Sequence, residues 1–164
     1  MAMNGLLILQ LLILLAAANG APILAKRFLG GSFAHALDLG THLPDARPLL
    51  GPTKTIRGIV ASLVLTCVAA YLIGQPVLVG AAVSLAAMAG DLTSSFVKRR
   101  LGLPPSSMAI GLDQIPECLV PLLVVQFLVP LTFAEIATTI LVFFVGDLLL
   151  SRVLFWLRVR DTPY

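Results

Sequence analysis

Charged residues are scarce in this sequence, and their scarcity excludes an ordinary soluble domain. Asp, Glu, Lys and Arg make up 12% of the 164 residues, whereas hydrophobic residues make up 59%. Soluble domains usually contain about 25% charged residues. This composition is typical of an integral membrane protein.

Cysteine and histidine are also rare. The two cysteines, Cys67 and Cys118, form no CxxC pair, and the two histidines, His35 and His42, have no metal-motif spacing. This pattern offers no zinc site and predicts two buried thiols rather than a disulfide. The net charge is +3, but no nucleic-acid-binding motif accompanies it, so we expect no nucleic-acid partner.

Long apolar runs occupy most of the chain. A membrane-spanning helix requires about 20 mainly apolar residues. Five such windows cover residues 5–25, 59–74, 77–97, 115–131 and 136–157. We therefore predict an all-α integral membrane protein with five transmembrane helices and a single domain over residues 1–164.

Lys and Arg lie in alternate connections between these windows. Loop one, between the first two windows, holds five of them, loop three holds three after window three, and the C-terminal tail holds Arg158 and Arg160. Loops two and four hold none. Because Lys and Arg accumulate on the cytoplasmic side, we predict an outer N-terminus and an inner C-terminus. Loops one and three, both long, are then cytoplasmic, and the functional site faces the cytoplasm from the cell (inner) membrane.

The third window contains a polar stripe. Asp91, Ser94, Ser95 and Lys98 recur at i, i+3, i+4 and i+7, so a helix carries them on one face. An ionisable group at membrane depth costs at least ~2.5 kcal/mol, so it normally faces a partner or a cavity. The stripe favours a functional role for Asp91; a buried structural acid is the alternative.

Further charged residues stand at the starts of windows two and four. Asp113 and Glu117 are four residues apart, which places both on one helix face. Lys54, Thr55 and Arg57 precede window two, where free helix N–H groups also attract anions. Carboxylates, cations and hydroxyls together predict a site for a polyphosphate bridged by Mg²⁺. Helix capping by the acids and lipid anchoring by the cations are the alternatives.

The run GDLTSSFVKRRLGLPPSSMAIGLDQIPE, residues 90–117, resembles the signature region of the CDP-archaeol synthase family, small five-span relatives of phosphatidate cytidylyltransferases. The segments ANGAP (18–22), ALDLG (36–40), DARPLLG (45–51) and TKTIRG (53–58) follow in the family's order. Asn19, Asp38 and Asp45 match family positions to which we assign no role. One departure is Glu117, which stands one residue after the position of a family aspartate.

The resemblance implies transfer of a cytidylyl group from CTP to the phosphate of a membrane lipid, with release of pyrophosphate and with Mg²⁺ at the acids. It implies that Asp91 and Asp113 are metal carboxylates, with Glu117 as a further ligand. Catalytic roles fall to Asp91, Asp113 and Lys98. The implied nucleotide- and phosphate-binding residues are Lys54, Thr55, Arg57, Ser94, Ser95 and Arg99.

A small transporter or channel subunit is the alternative function. In that case Asp91 and Asp147 would form an intramembrane relay for protons or ions. Such a relay requires polar groups that continue to the outer face. The neighbouring windows offer few, chiefly Ser62, Thr66 and Gln126.

Overall fold

The computed structural model describes residues 3–105 and 107–158, so Arg160 of the predicted basic tail lies outside the described residues. The helices are α1 (Gly5–Leu29), α2 (Ile56–Leu72), α3 (Val77–Arg100), α4 (Gln114–Val125) and α5 (Phe133–Trp156). In this described part the non-helical chain forms two isolated bridge pairs, Ala36 with Thr55 and His42 with Pro48, but no strand. The predicted all-helical fold is confirmed.

Helix length separates the five helices into two groups. Among the described residues, α1 with 25 residues and α3 and α5 with 24 each are long and apolar enough to cross a membrane. The apolar helices α2 and α4 are shorter, with 17 and 12 residues. At 1.5 Å per residue, α4 extends for only about 18 Å. It ends at Val125, earlier than the predicted window, and the chain continues in tight turns toward Pro130. Proline disfavours helical backbone at the residue before it.

Helix α3 lies at the centre of the bundle. It packs against α1, α2 and α4, whereas α5 packs against α4 and α1. Leu14, Leu15, Val83, Leu122 and Val125 belong to the buried apolar core between these helices. Because lipid tails are as apolar as leucine, close packing contributes more to helix association here than removal of surface from water.

Two glycines allow neighbouring helices to approach α3 closely. A Cβ at Gly80 would lie 2.7 Å from the Ala70 side chain and 2.8 Å from the backbone oxygen of Thr66 on α2. A Cβ at Gly90 would overlap the backbone of Pro116 and Glu117 on α4. The approach at Gly90 is the one that positions the polar residues described below.

Polar contacts distinguish the two ends of the bundle. At one end, Gln10 of α1 donates to the Ile73 carbonyl at 3.0 Å, and Glu135 of α5 accepts from the Asn4 N–H at 2.9 Å. The other end, which we call the charged end, contains loop one (residues 30–55), loop three (residues 101–113) and the helix ends that they join. Arg100 of α3 forms an ion pair with Asp45 at 2.6 Å, so loop one folds back onto the helices.

We predict that Gly90→Ala destabilises the bundle because the added methyl group must push α4 away from α3. Overpacking of this kind costs about 1–3 kcal/mol, so the apparent Tm of the detergent-solubilised protein should fall. The matched control is Gly146→Ala in α5, where an added Cβ meets nothing within 4 Å. Equal Tm values for the two variants would contradict the close-approach role of Gly90.

Candidate active site

The charged end contains an ion pair between loop one and the middle of α3. The ammonium of Lys54 donates to both carboxylate oxygens of Asp91, at 2.6 and 2.7 Å. The two side chains are 22% and 19% exposed, so the pair is largely shielded from solvent. The polar partner that the sequence requires for Asp91 is therefore Lys54.

Backbone contacts of loop one hold Lys54 in this position. The Lys54 carbonyl accepts from the Leu37 N–H at 2.7 Å, and the Ile56 N–H donates to the His35 carbonyl at 3.1 Å. Directly after Lys54, the Thr55 side chain caps α2 by accepting from the Gly58 N–H at 3.2 Å. Lys54 is thus fixed between a bridge in loop one and the first turn of α2.

Glu117 brings a second acid to Asp91. The Glu117 side chain lies within hydrogen-bonding reach of the Asp91 carboxylate, and Lys54 and Asp147 are close enough to act on it electrostatically. The close approach of α4 at Gly90 places it there. Two acids from neighbouring helices consequently face one lysine.

The donor set at this point fits Mg²⁺. Among the described residues, no group of three or more His, Cys, Asp and Glu side chains is gathered as a metal site. Mg²⁺, however, often binds through one or two carboxylates and completes its coordination with substrate phosphates and water. Asp91 and Glu117 supply that pair of side chains.

A second ion pair lies nearer the end of α3. Lys98 contacts a carboxylate oxygen of Asp113 at 2.5 Å and donates to the Ser107 carbonyl at 3.1 Å. The other Asp113 oxygen accepts from the Ala109 N–H at 2.9 Å. Lys98 and Asp113 therefore hold loop three against α3.

The remaining predicted residues of α3 are buried beside these pairs. The hydroxyl of Ser94 donates to the Asp91 carbonyl at 2.9 Å, and Ser95 is 4% exposed. Arg99, also 4% exposed, donates through Nη2 to the Pro104 carbonyl at 2.9 Å. Its Nε and Nη1 have no hydrogen-bonding partner in the described part of the chain. Buried donors without a partner are costly, so Arg99 is suited to an anion that enters from outside the protein.

Arg57 is predicted to bind phosphate, but in the structure its guanidinium contacts backbone carbonyls instead. Its guanidinium donates to the Gly30 carbonyl at 2.8 Å and to the Ser32 carbonyl. These contacts tie the end of α1 to the start of α2.

Two contacts of loop one were missed by the sequence analysis. The carboxylate of Asp38 accepts from the N–H groups of Gly40, Leu50 and Gly51 at 3.1, 2.9 and 2.9 Å. Arg100 bonds Asp45 through Nη1 and the Pro48 carbonyl through Nη2, and its guanidinium lies 5.3 Å from the centre of the Phe96 ring. The spacing of Asp38 and Gly40 is typical of an Asx turn and is a sequence signal for the first contact.

Asn19 and Asp147 also acquire partners. Asn19 donates to the Leu15 carbonyl of its own helix at 3.0 Å. Asp147 of α5 accepts from the buried Gln114 side chain at 3.1 Å, and within the described part of the chain it forms no ion pair. Asp147 is therefore bonded to Gln114 and lies close to Glu117, at the edge of the site.

Lys54 and Asp91 line an open cleft between α1, α2 and α3. One part of its lining is polar, with Thr53, Lys54, Thr55 and Asp91, and the other part is apolar. The apolar lining comprises Pro22, Ile59, Met88 and Leu92. The cleft thus has an apolar wall on one side and the Lys54–Asp91 pair on the other.

Acid and lysine side chains beside apolar, membrane-length helices indicate a functional site in a membrane protein. A solved structure described as an intramembrane enzyme for archaeal membrane lipids biosynthesis matches this chain with a TM-score of 0.67 and 30% sequence identity. The match covers 84% of this chain and 90% of that one.

The family model of CarS-like CDP-archaeol synthases matches residues 3–164. The chain therefore belongs to the CarS-like CDP-archaeol synthase family, which confirms the resemblance found in the sequence.

Three curated CDP-archaeol synthases are among the relatives. The protein of Pyrobaculum arsenaticum is 38% identical over 65% of this chain and 66% of its own length. Those of Hyperthermus butylicus and Aeropyrum pernix are each 40% identical over 60% of this chain, and over 60% and 56% of their own lengths. The aligned region thus spans less than two thirds of each relative.

The conformation of loop one depends on the ionised carboxylate of Asp38. Burial opposes ionisation, but the backbone N–H donors of Gly51, Leu50 and Gly40 outweigh it and hold the pKa of Asp38 below its ordinary value of 3.8. Because the pKa of Asp38 is lower in the folded state, its carboxylate stabilises the fold at pH values above 3.8. This stabilisation is lost as the pH falls through the folded-state pKa of Asp38.

We predict that Asp38→Asn loosens loop one, because a neutral amide replaces a carboxylate that accepts three N–H donors. Hydrogen exchange of the Leu50 and Gly51 amides should accelerate roughly tenfold to a hundredfold, given about 1.5–3 kcal/mol for a charge-assisted hydrogen bond. Thr41→Ala, at an exposed position of the same loop, is the control. Unchanged exchange in Asp38→Asn would show that the carboxylate does not order the loop.

Proposed function

We propose that the protein is a membrane-embedded cytidylyltransferase that transfers CMP from CTP to a lipid phosphate monoester. The products are a CDP-lipid and pyrophosphate, and the reaction serves phospholipid biosynthesis. The observation that carries the proposal is the Lys54–Asp91 pair, with Glu117 beside it, at the end of a cleft with an apolar wall. Membership of the CarS-like family supports the same activity and favours it over a transporter or channel subunit.

The reaction requires positioning and charge neutralisation more than a side-chain base. A phosphate monoester has a second pKa near 6 and is largely ionised at neutral pH. One of its oxygens attacks the α-phosphorus of CTP, and the bond from that phosphorus to the β-phosphate oxygen breaks in line. The electron pair leaves with pyrophosphate, so no proton transfer is needed in the central step.

Mg²⁺ would be held by Asp91 and Glu117, with Asp113 as the third predicted carboxylate, and would neutralise the triphosphate and the leaving pyrophosphate. Asp91 receives its orientation from α3 and Glu117 from the adjacent turn of α4. The two oxygens of Asp113 are already occupied by Lys98 and the Ala109 N–H, so Asp91 and Glu117 would be the principal ligands.

The cations and hydroxyls of the charged end would bind the triphosphate. Arg99 has buried N–H groups available for phosphate oxygens, and Lys98 is fixed one residue before it. Thr55, Ser94 and Ser95 would contribute hydroxyl or backbone contacts around them. Arg57 would act from the rim, since it is bonded to the carbonyls of Gly30 and Ser32.

The acceptor would be an ether-lipid phosphate of the archaeal type, since the named relatives are CDP-archaeol synthases. The apolar lining of the cleft, with Pro22, Ile59, Met88 and Leu92, suits the first carbons of the lipid chains. Lys54, at the same cleft, suits the lipid phosphate or the triphosphate that it attacks.

Residues 1–164 would form one domain in the cell (inner) membrane, with an outer N-terminus and an inner C-terminus. The charged end would then face the cytoplasm, where CTP is made. The clustering of Lys and Arg in loop one and in the helix ends beside loops one and three supports this orientation.

The enzymatic proposal predicts pyrophosphate release when purified protein is mixed with CTP, Mg²⁺ and archaeol phosphate. Asp91→Asn should lower the rate roughly 100-fold or more, because it removes a carboxylate that would hold Mg²⁺ beside the reacting phosphates. Thr93→Ala is the control on the same helix, since Thr93 is exposed and its hydroxyl donates to the Ala89 carbonyl. Full activity in Asp91→Asn would remove the proposed site. ATP and an ester-linked phosphatidic acid test the choice of nucleotide and acceptor.

The proposed orientation predicts opposite labelling of two cysteines in intact cells. Ser32→Cys in loop one and Ala134→Cys at the other end are placed, one at a time, in a Cys67→Ala, Cys118→Ala background; both positions are exposed. A membrane-impermeant maleimide should label Ala134→Cys in intact cells and Ser32→Cys only after the cells are opened. The reverse pattern would invert the orientation.

A further inference from the structure

Each of two acids predicted to bind metal is paired with a lysine of the predicted site. Asp91 is paired with Lys54 at 2.6 Å, and Asp113 with Lys98 at 2.5 Å. A metal ion and an ammonium are both cations, so they repel each other at the same carboxylate oxygens and compete for them. The two pairs differ in how firmly they are held.

The Lys98–Asp113 pair is held in place by further contacts. The Lys98 ammonium is divided between Asp113 and the Ser107 carbonyl, and Asp113 in turn accepts from the Ala109 N–H. The Lys98 residue is 8% exposed. Moving this lysine would break contacts that hold loop three, so the Lys98–Asp113 pair is the less exchangeable of the two.

The Lys54–Asp91 pair is the one in which the lysine can change its partner. Both side-chain hydrogen bonds of Lys54 go to Asp91, and the side chain borders the open cleft, where it is 22% exposed. A lysine side chain has four rotatable methylene links and a compact charge, so its head can move while its backbone stays fixed. The backbone of Lys54 is held by Leu37 and Gly51 in loop one.

The charges around Asp91 favour such an exchange. Asp91 and Glu117 are two acids from α3 and α4, and Asp147 of α5 is close to Glu117. Lys54 contacts Asp91 and is close enough to act on Glu117. A divalent cation beside Asp91 and Glu117 would repel the Lys54 ammonium at the same oxygens. The triphosphate that accompanies this cation would attract the ammonium.

We propose that Lys54 competes with the divalent cation for Asp91, and that binding of the metal nucleotide transfers the Lys54 ammonium from Asp91 to the triphosphate. The inference rests on the proposed function for the identity of the nucleotide. Metal binding and phosphate binding are then one coupled exchange, in which loop one changes its side-chain partner without refolding.

The test measures binding in detergent micelles rather than turnover. Mn²⁺ alone is titrated without nucleotide, and free Mn²⁺ is followed by electron paramagnetic resonance. Lys54→Met should bind Mn²⁺ roughly tenfold more tightly than the wild type, because a competing unit charge is removed from the acids. At saturating Mg²⁺ the same variant should bind CTP roughly tenfold more weakly, because a charge-assisted contact is lost.

Two further variants control the measurement. Lys26→Met removes one positive charge from an exposed position at the charged end and should leave both dissociation constants within about twofold. Lys54→Arg keeps the charge and can hold a carboxylate through two parallel hydrogen bonds, so it should weaken Mn²⁺ binding severalfold. This variant preserves the test if Lys54→Met does not fold.

The opposite signs of the two shifts separate exchange from other roles of Lys54. A purely structural lysine would make both affinities weaker in Lys54→Met, and a pure phosphate ligand would leave Mn²⁺ affinity unchanged; either result overturns the proposal. If both shifts occur but no CMP transfer is detected with any lipid phosphate, the exchange stands and the proposed function fails.

Discussion

The contact between Lys54 and Asp91 is the constraint around which the charged end is arranged. An acid in the middle of an apolar helix needs a polar partner, and the partner here comes from a loop rather than from a neighbouring helix. Loop one must therefore fold back over the helices. Asp38 orders its turns and Arg100 attaches it to the end of α3, so both residues contribute to a contact in which neither takes part.

A shielded ion pair of this kind is a weak source of stability. The cost of removing two charges from water often equals or exceeds their attraction, so apolar residues of similar size would stabilise as well or better. Glu117 increases that cost by adding a second acid beside Asp91, at the point where Gly90 removes the steric barrier between α3 and α4. An arrangement that sacrifices stability in this way is better explained by binding of cations and phosphates than by folding.

Local patterns in the sequence predicted most of the architecture but few of the partners. The apolar windows located all five helices, and the spacing from Asp91 to Lys98 identified the polar face of α3. Which lysine meets which acid depends on how a 26-residue loop folds back, and short-range periodicity contains no such information. The neighbours Arg99 and Arg100 illustrate this limit, because one is buried with unpaired N–H groups and the other holds loop one.

The division of residues between helices and loops has a mechanical consequence. Asp91 and Glu117 lie within helices that pack closely, so the positions of the acids are rigid. Lys54 lies in the connection before α2, with its backbone held and its ammonium at an open cleft. A site built in this way can keep a fixed pair of metal ligands while its cation changes partners. The opposite arrangement, with acids on loops and lysines within packed helices, would require the metal site to form anew in each cycle.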